Sequence, residues 1–425
     1  MQIQNLPFSK KALLAGAFSI TACQVSAAGF QLNAQSATGL GRAFSGDAVI
    51  ADNASVMSRN AAGMALFDKT AMSFGLNVLK TDISVSDASY SQQHFISPGI
   101  GYSSDSNYSN AGGTSYAPNF FLIVPVNEKI AVGLDLYTNF GTRTDFSDSF
   151  LGAEYGGLTD IKSLNLGLAA SYRINHQWSL GGGVDIIYGT GELEREIKVY
   201  SQVDGSQVST VKALDANVAG TAVGFNLGSV FELDENNRFG LSYHYSPELE
   251  AKGDVYFDST TTKNDSLYLG LPDMAEFSGY HRIKNTQYAV HYSVQWIGWS
   301  SFDTLESDAH GTISEYEWKN AFHFSLGGTY YLNDIWTLRA GYLFDQSAQD
   351  EVTSISVPDS DRHWFSTGFT YHLSEKSNID FGFTYLLGRD VEVSEETVNG
   401  ITLSSITGTT RADAMLAAVQ YSHEF

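Results

Sequence analysis

Apolar and polar residues alternate with a period of two along most of this chain. Over 164–173, Leu164, Leu166, Leu168, Ala170 and Tyr172 share one face, and Asn165, Gly167, Ala169, Ser171 and Arg173 the other. Phe322, Phe324, Leu326, Gly328 and Tyr330 alternate in the same way with His323, Ser325, Gly327, Thr329 and Tyr331. Ile379, Phe381, Phe383 and Tyr385 alternate with Asp380, Gly382 and Thr384. Strand side chains point to opposite faces in turn, so each run makes one greasy wall and one polar wall. The pattern does not say whether the greasy wall faces a soluble core or lipid.

The connections alternate between tight and long. Tight turns fall at 127–129, 175–177, 234–237, 283–285, 333–334 and 374–377. Long connections cover roughly 81–117, 142–162, 191–217, 248–272, 303–318, 346–361 and 389–410. Six short and seven long connections join 14 strands.

The two ends decide which solvent the greasy wall meets. Lys10 and Lys11 precede an apolar run, 12–20, and then Val25-Ser26-Ala27. This is the order of a secretory signal peptide, cleaved before Ala28. The run is too short to span a bilayer as a helix. Ile20-Thr21-Ala22-Cys23 also resembles a lipoprotein box, an alternative in which Cys23 carries lipid. The chain closes on an alternating strand ending in Phe425. An exported, strand-rich chain of this kind predicts an all-β fold: a 14-stranded antiparallel transmembrane β-barrel in the bacterial outer membrane. Short turns then belong on the periplasmic side and long loops outside, and lipid requires that the sheet close.

Composition agrees. Gly numbers 40, Pro 7, and Tyr and Phe together 49, a mix suited to strands and aromatic girdles. The formal charge is -23, and loss of Lys10 and Lys11 takes it to -25. That acidity argues against a nucleic-acid partner and is read as acidic external loops. Cys23 is the only cysteine, so the cleaved chain forms no disulfide.

Residues 28–69 break the alternation. They are rich in small residues, as in Gly39-Leu40-Gly41-Arg42-Ala43, and Asp52 or Asn53 can cap a short helix running to about Asn60. About forty residues are too few to fold alone. The division is therefore 1–27 signal peptide, 28–69 plug in the lumen and 70–425 barrel.

Several short motifs, in shared order, resemble the FadL-type family of outer-membrane long-chain fatty-acid transporters. They include Ala28-Gly29-Phe30-Gln31-Leu32-Asn33, Gly39-Leu40-Gly41-Arg42-Ala43 and Ser58-Arg59-Asn60 in the plug. Along the barrel they include Asn139-Phe140-Gly141, Glu192-Leu193-Glu194-Arg195, Leu271-Pro272-Asp273-Met274, Trp299-Ser300-Ser301-Phe302 and Pro358-Asp359-Ser360-Asp361-Arg362. The resemblance implies passive uptake of hydrophobic molecules: capture between external loops, transfer to a lumen pocket touching the N-terminus, and exit through an opening at a kinked third strand. It implies Phe30 at the pocket, and Asn60 with Asn139-Phe140-Gly141 in gating. The family's pocket arginine falls on Arg195. Its lysine falls near Ser314, with Lys319 the nearest replacement. The family's plug proline is absent here, where Asn60-Ala61-Ala62 stands.

Read from the residues, the loops near 191–217 and 248–272 offer an exposed apolar capture surface of Tyr200, Val203, Val255, Tyr256, Phe257, Leu267, Tyr268 and Leu269. Strand alternation puts Arg195 on one face with Leu193 and Ile197. Gly141 marks a bulge or bend at the end of a strand. The substrate expected is a long-chain fatty acid, with neutral aromatic or aliphatic hydrocarbons as the alternative. Expected partners are outer-membrane lipid, lipopolysaccharide and, through Phe425, the barrel-assembly machinery.

No catalytic, metal or cofactor site is expected. The zinc-helix, phosphate-loop and nucleophile-elbow signatures are missing, and the 10 His are scattered, with His323 and His363 facing lumen or loop water. An outer-membrane lipase and a water-filled porin are the competing classes. A plug fits neither.

Overall fold

The computed structural model describes residues 29–33, 35–94, 101–201, 204–399 and 402–425. The signal peptide, Ala28, Cys23 and Val203 lie outside them. Fourteen barrel strands, with two short segments, Gly101–Asp105 and Tyr108–Ser109, paired to the upper part of the first, account for the sheet. They are β1 Ala71–His94, β2 Thr114–Asn127, β3 Ile130–Tyr137 with Gly141–Asp145, β4 Leu158–Arg173, β5 Trp178–Tyr200 and β6 Gln207–Asp234. Then come β7 Asn237–Tyr245 with Leu249–Phe257, β8 Thr260–Leu269 with Met274–Arg282, β9 Tyr288–Ile297 with Thr304–Ser307 and β10 Gly311–Glu315 with Ala321–Tyr331. The last are β11 Trp336–Asp345, β12 Arg362–Ser374, β13 Ser377–Gly388 with Val391–Asn399 and β14 Thr402–Glu424. Each pairs antiparallel with its sequence neighbours, and β1 pairs with β14 from Ala71↔Glu424 onward, closing the barrel. Phe425 N donates to Thr70 O at 2.9 Å and seals the seam's lower end.

The alternation is inside out relative to a soluble protein. Leu168 is 59% exposed and Asn165 2%; Phe324 is 45% exposed and His323 2%. Apolar side chains therefore face lipid, and polar ones line the lumen.

All six tight turns lie where the alternation puts them. Five of the long connections do not stay loops. That at 81–117 is mostly ladder, with β1 paired as far as Gln93↔Gly101, and those at 191–217, 248–272, 303–318 and 389–410 are carried to the hairpin tips Tyr200↔Gln207, Phe257↔Thr260, Ser307↔Gly311 and Asn399↔Thr402. That at 191–217 also runs through β6, whose 28 residues far exceed the ~10 that cross a bilayer. Charged residues there signal water on both faces, not the end of hydrogen bonding.

Residues 29–33 and 35–70 lie inside the barrel and are mostly buried. Helix α1, Ala37–Gly41, is capped by Ser36 Oγ, which accepts from Gly39 N. Two 3₁₀ turns follow, Ala54–Ser58 capped by Asn53 and Ala61–Leu66 capped by Asn60. The helix expected up to Asn60 is thus a shorter, tighter turn ending at Ser58. Arg42 pairs with Asp47 at 2.7 Å and Asp52 at 2.9 Å, and Arg339 of β11 reaches Asp52 at 3.2 Å. The Arg42 pairs brace the plug internally, and the Arg339–Asp52 pair ties it to the wall.

Candidate functional site

Strands β7 to β10 are each interrupted, at 246–248, 270–273, 298–303 and 316–320. The breaks turn aromatic residues inward. Phe30 is fully buried among them, with ring centroids 4.7 Å from Trp299, 5.0 Å from Phe302, 5.8 Å from Trp318 and 6.2 Å from Phe140. Phe302 also borders a narrow apolar cavity of about 30 Å³, lined by Leu193, Val218, Ala251, Leu267 and Tyr316 among others. Burying a CH₂ gives about 0.8 kcal/mol, so such walls suit an alkyl chain or an aromatic ring.

The same N-terminal segment is tied to β3. Tyr137 pairs with Asn165 and Gly141 with Lys162, so β3 carries one extra residue against β4 between those pairs. A one-residue slip exchanges the faces. Asp135 and Tyr137 are buried before it, Thr142 and Thr144 after it. Phe140 keeps its place beside β4: its N–H donates to Ser163 Oγ and its C=O accepts from Ser163 N, both at 2.9 Å. Asn139 and Gly141 turn the other way. Leu32 N donates to Asn139 O and Gly141 N to Phe30 O, each at 2.7 Å, and Gln31 forms a bridge with Phe140. Gln35 Nε2 adds a bond to Asn139 Oδ1 at 3.3 Å.

Asn60 anchors the plug. Its Oδ1 accepts from Ala62 N, and its Nδ2 donates to Ala48 O at 2.7 Å and to Ser229 O of β6 at 3.0 Å. Asn60 thus caps the turn whose first position, Ala61, stands where the family's proline would be.

Arg195 is buried and faces inward with Leu193, and its charge lies within reach of Tyr316. Its guanidinium already donates to Leu158 O, Glu194 O and Thr159 Oγ1. Beyond it the face changes: a bulge falls between Arg195 and Glu196, and Lys198 and Tyr200 are the buried residues, so Ile197 does not continue the Leu193 face. Glu395, half-buried in the external hairpin, also lies within electrostatic reach of Arg195. It accepts from Ile355 N at 2.7 Å, and burial pushes its pKa up to about 7 against the pull of that amide and of Arg195.

Lys319 is not in the pocket. Its Nζ pairs with Asp350 at 2.7 Å on the outer surface, because the chain turns outward after Trp318. Tyr256 is half-buried, its ring 5.8 Å from the Lys212 ammonium. Phe257 packs on the apolar cluster and meets the His310 ring edge-on. Val255, Leu267 and Leu269 are buried in that cluster, not exposed, because the β7–β8 hairpin folds one face over the barrel mouth. Tyr200 belongs to a separate external cluster, stacked on Tyr102 at 4.0 Å. Trp318 was legible only as an aromatic in an acidic stretch, Glu315-Tyr316-Glu317-Trp318, and Gln31 only as one letter of a motif.

A profile of the family described as "Outer membrane protein transport protein (OMPP1/FadL/TodX)" matches residues 18–425. The chain is 35% identical over 424 residues to a protein of Salmonella typhi named "Long-chain fatty acid transport protein", covering 92% of this chain and 94% of that one. It is 32% identical to "Outer membrane protein P1" of Haemophilus influenzae, covering 98% and 99%. A crystal structure described as a Pseudomonas aeruginosa FadL homologue superimposes with a TM-score of 0.81 at 22% identity, covering 94% of this chain and all of that one. These relatives are named for transport or for the outer membrane, and the barrel's lipid-facing wall agrees with that location.

Proposed function

From the premise that this chain belongs to the OMPP1/FadL/TodX family of outer-membrane transport proteins, we propose that it takes up long-chain fatty acids by passive diffusion. A molecule caught at the external hairpins near Tyr256 and Phe257 enters the apolar cavity, displaces Phe30, and leaves sideways where β3 is interrupted. One observation carries this reading: Phe30 both fills the aromatic box and, through its carbonyl, holds Gly141. A ligand that moves the ring therefore loosens the broken strand. The tail supplies affinity at about 0.8 kcal/mol per methylene, before binding losses. The head group supplies selectivity, with Arg195 as the cation for a carboxylate. The name of the Salmonella typhi relative supports the fatty-acid assignment.

A second reading, a channel for neutral hydrocarbons, is favoured by one feature: the Arg195 guanidinium is already engaged by two carbonyls and a hydroxyl. Uptake of a fatty acid beside its methyl ester, in wild type and Arg195→Ala, separates the two. The carboxylate reading expects the acid to lose more than the ester. Equal losses, or none, assign the neutral substrate.

A further inference from the structure

The backbone ladder is broken on one side of the β3 interruption, and β2 carries the reason. Pairing of β2 with β3 runs from Asn127↔Ile130 to Phe120↔Leu136 and stops. Among the described residues the next backbone bond lies above, where Asp145 N donates to Ala111 O, in the segment that leads into β2. Over the intervening stretch β2 stays paired with β1, from Gly75↔Asn119 through Leu76↔Pro118 to Lys80↔Thr114.

The direction of each backbone group follows from this register. In an antiparallel ladder, alternate residues turn both N–H and C=O to the same neighbour. Thr81 N donates to Gly113 O and Gly113 N donates to Thr81 Oγ1, so odd-numbered residues here face β1. Even-numbered residues, Thr114, Tyr116, Pro118 and Phe120, therefore face β3. Pro118 stands at the first even position beyond the last β2–β3 pair, and it has no N–H to give. Carried past the extra β3 residue, the ladder would set Pro118 against Thr138 and Tyr116 against Gly141, the residue that Phe30 holds. Instead Asn139 and Gly141 take the N-terminal residues Leu32 and Phe30 as partners.

We propose that Pro118 is a positioning residue that keeps β2 from pairing with β3, reserving that edge for the N-terminal segment. Two segments compete for one edge. With β2 disabled, departure of residues 30–32 leaves an opening in the wall instead of a sheet that zips shut. The argument rests on the sideways exit proposed above.

The test is Pro118→Ala, which restores the donor, compared with Pro118→Ala/Phe120→Pro, which removes one a single step earlier on the same side. Protein in nanodiscs is assayed for amide exchange and ligand binding, and cells for fatty-acid uptake. Pro118→Ala should bind fatty acid as wild type does. It should slow uptake and exchange at the Tyr116 amide about fivefold, the factor carried by one net backbone hydrogen bond. The double variant should recover uptake. Wild-type uptake by Pro118→Ala overturns the proposal. Gly141→Trp then shows which argument failed: if it blocks transport, the exit stands without Pro118; if it also transports fully, the exit is elsewhere.

Discussion

Replacing Gly181 by Ala should unseat the plug without unfolding the barrel. Gly181 faces the lumen from β5, and a Cβ there would lie 2.7 Å from Ala62 Cα and nearer still to the Ala61–Ala62 peptide. Ordinary carbon contact needs about 3.5–4.0 Å, so the plug backbone must retreat by about 1 Å. Asn60 is the adjoining anchor, with bonds of 2.7 Å to Ala48 O, 3.0 Å to Ser229 O and 3.0 Å from Ala62 N. The first and third of these are internal to the plug and move with it, so a retreat of that size stretches the Ser229 bond, which crosses to the wall, beyond useful length. At about 1 kcal/mol net, its loss is a shift of about fivefold toward the unseated plug, before the steric term is added. The assay is ion conductance in planar bilayers, with heat-modifiable gel migration to confirm the barrel. Gly328→Ala is the control, since its Cβ would meet only Ala289 O, at 3.5 Å. A Gly181→Ala barrel that folds and stays as tightly sealed as that control would refute the claim that backbone-to-backbone seating at β5 holds the plug.

Two further outcomes follow from the site. Phe30→Ala removes a fully buried ring and should cost about 3–5 kcal/mol of local packing. Hydrophobic ligand binding, measured by fluorescence displacement, should weaken while heat-modifiable migration persists; loss of the barrel would make Phe30 purely structural. Glu395 has a folded pKa raised to about 7, so its contribution to stability is complete below its ordinary pKa and is lost as pH rises through about 7. In its neutral form it no longer competes for the Arg195 field. Binding of a long-chain alkylsulfonate, whose own charge does not titrate, should therefore tighten as pH falls through about 7, and Glu395→Gln should flatten that profile. A pH-independent wild type would remove Glu395 from the site.

Period-two alternation by itself determined the strand count, the six periplasmic turns and which wall is greasy, because those depend only on neighbours along one strand. Breaks in the alternation marked the plug and Asn139-Phe140-Gly141. Partners distant in sequence were decided only by the closed sheet. Lys319 reads as a pocket cation in sequence but lies on the surface beside Asp350, because the chain direction after Trp318 depends on the β10 break. Val255, Leu267 and Leu269 read as exposed loop residues but are buried, because the ladder continues above the membrane. Phe30 could be named from a motif. That its carbonyl occupies the edge of β3 from which Pro118 bars β2 depends on the register of three separate segments, and register exists only once those segments are brought together.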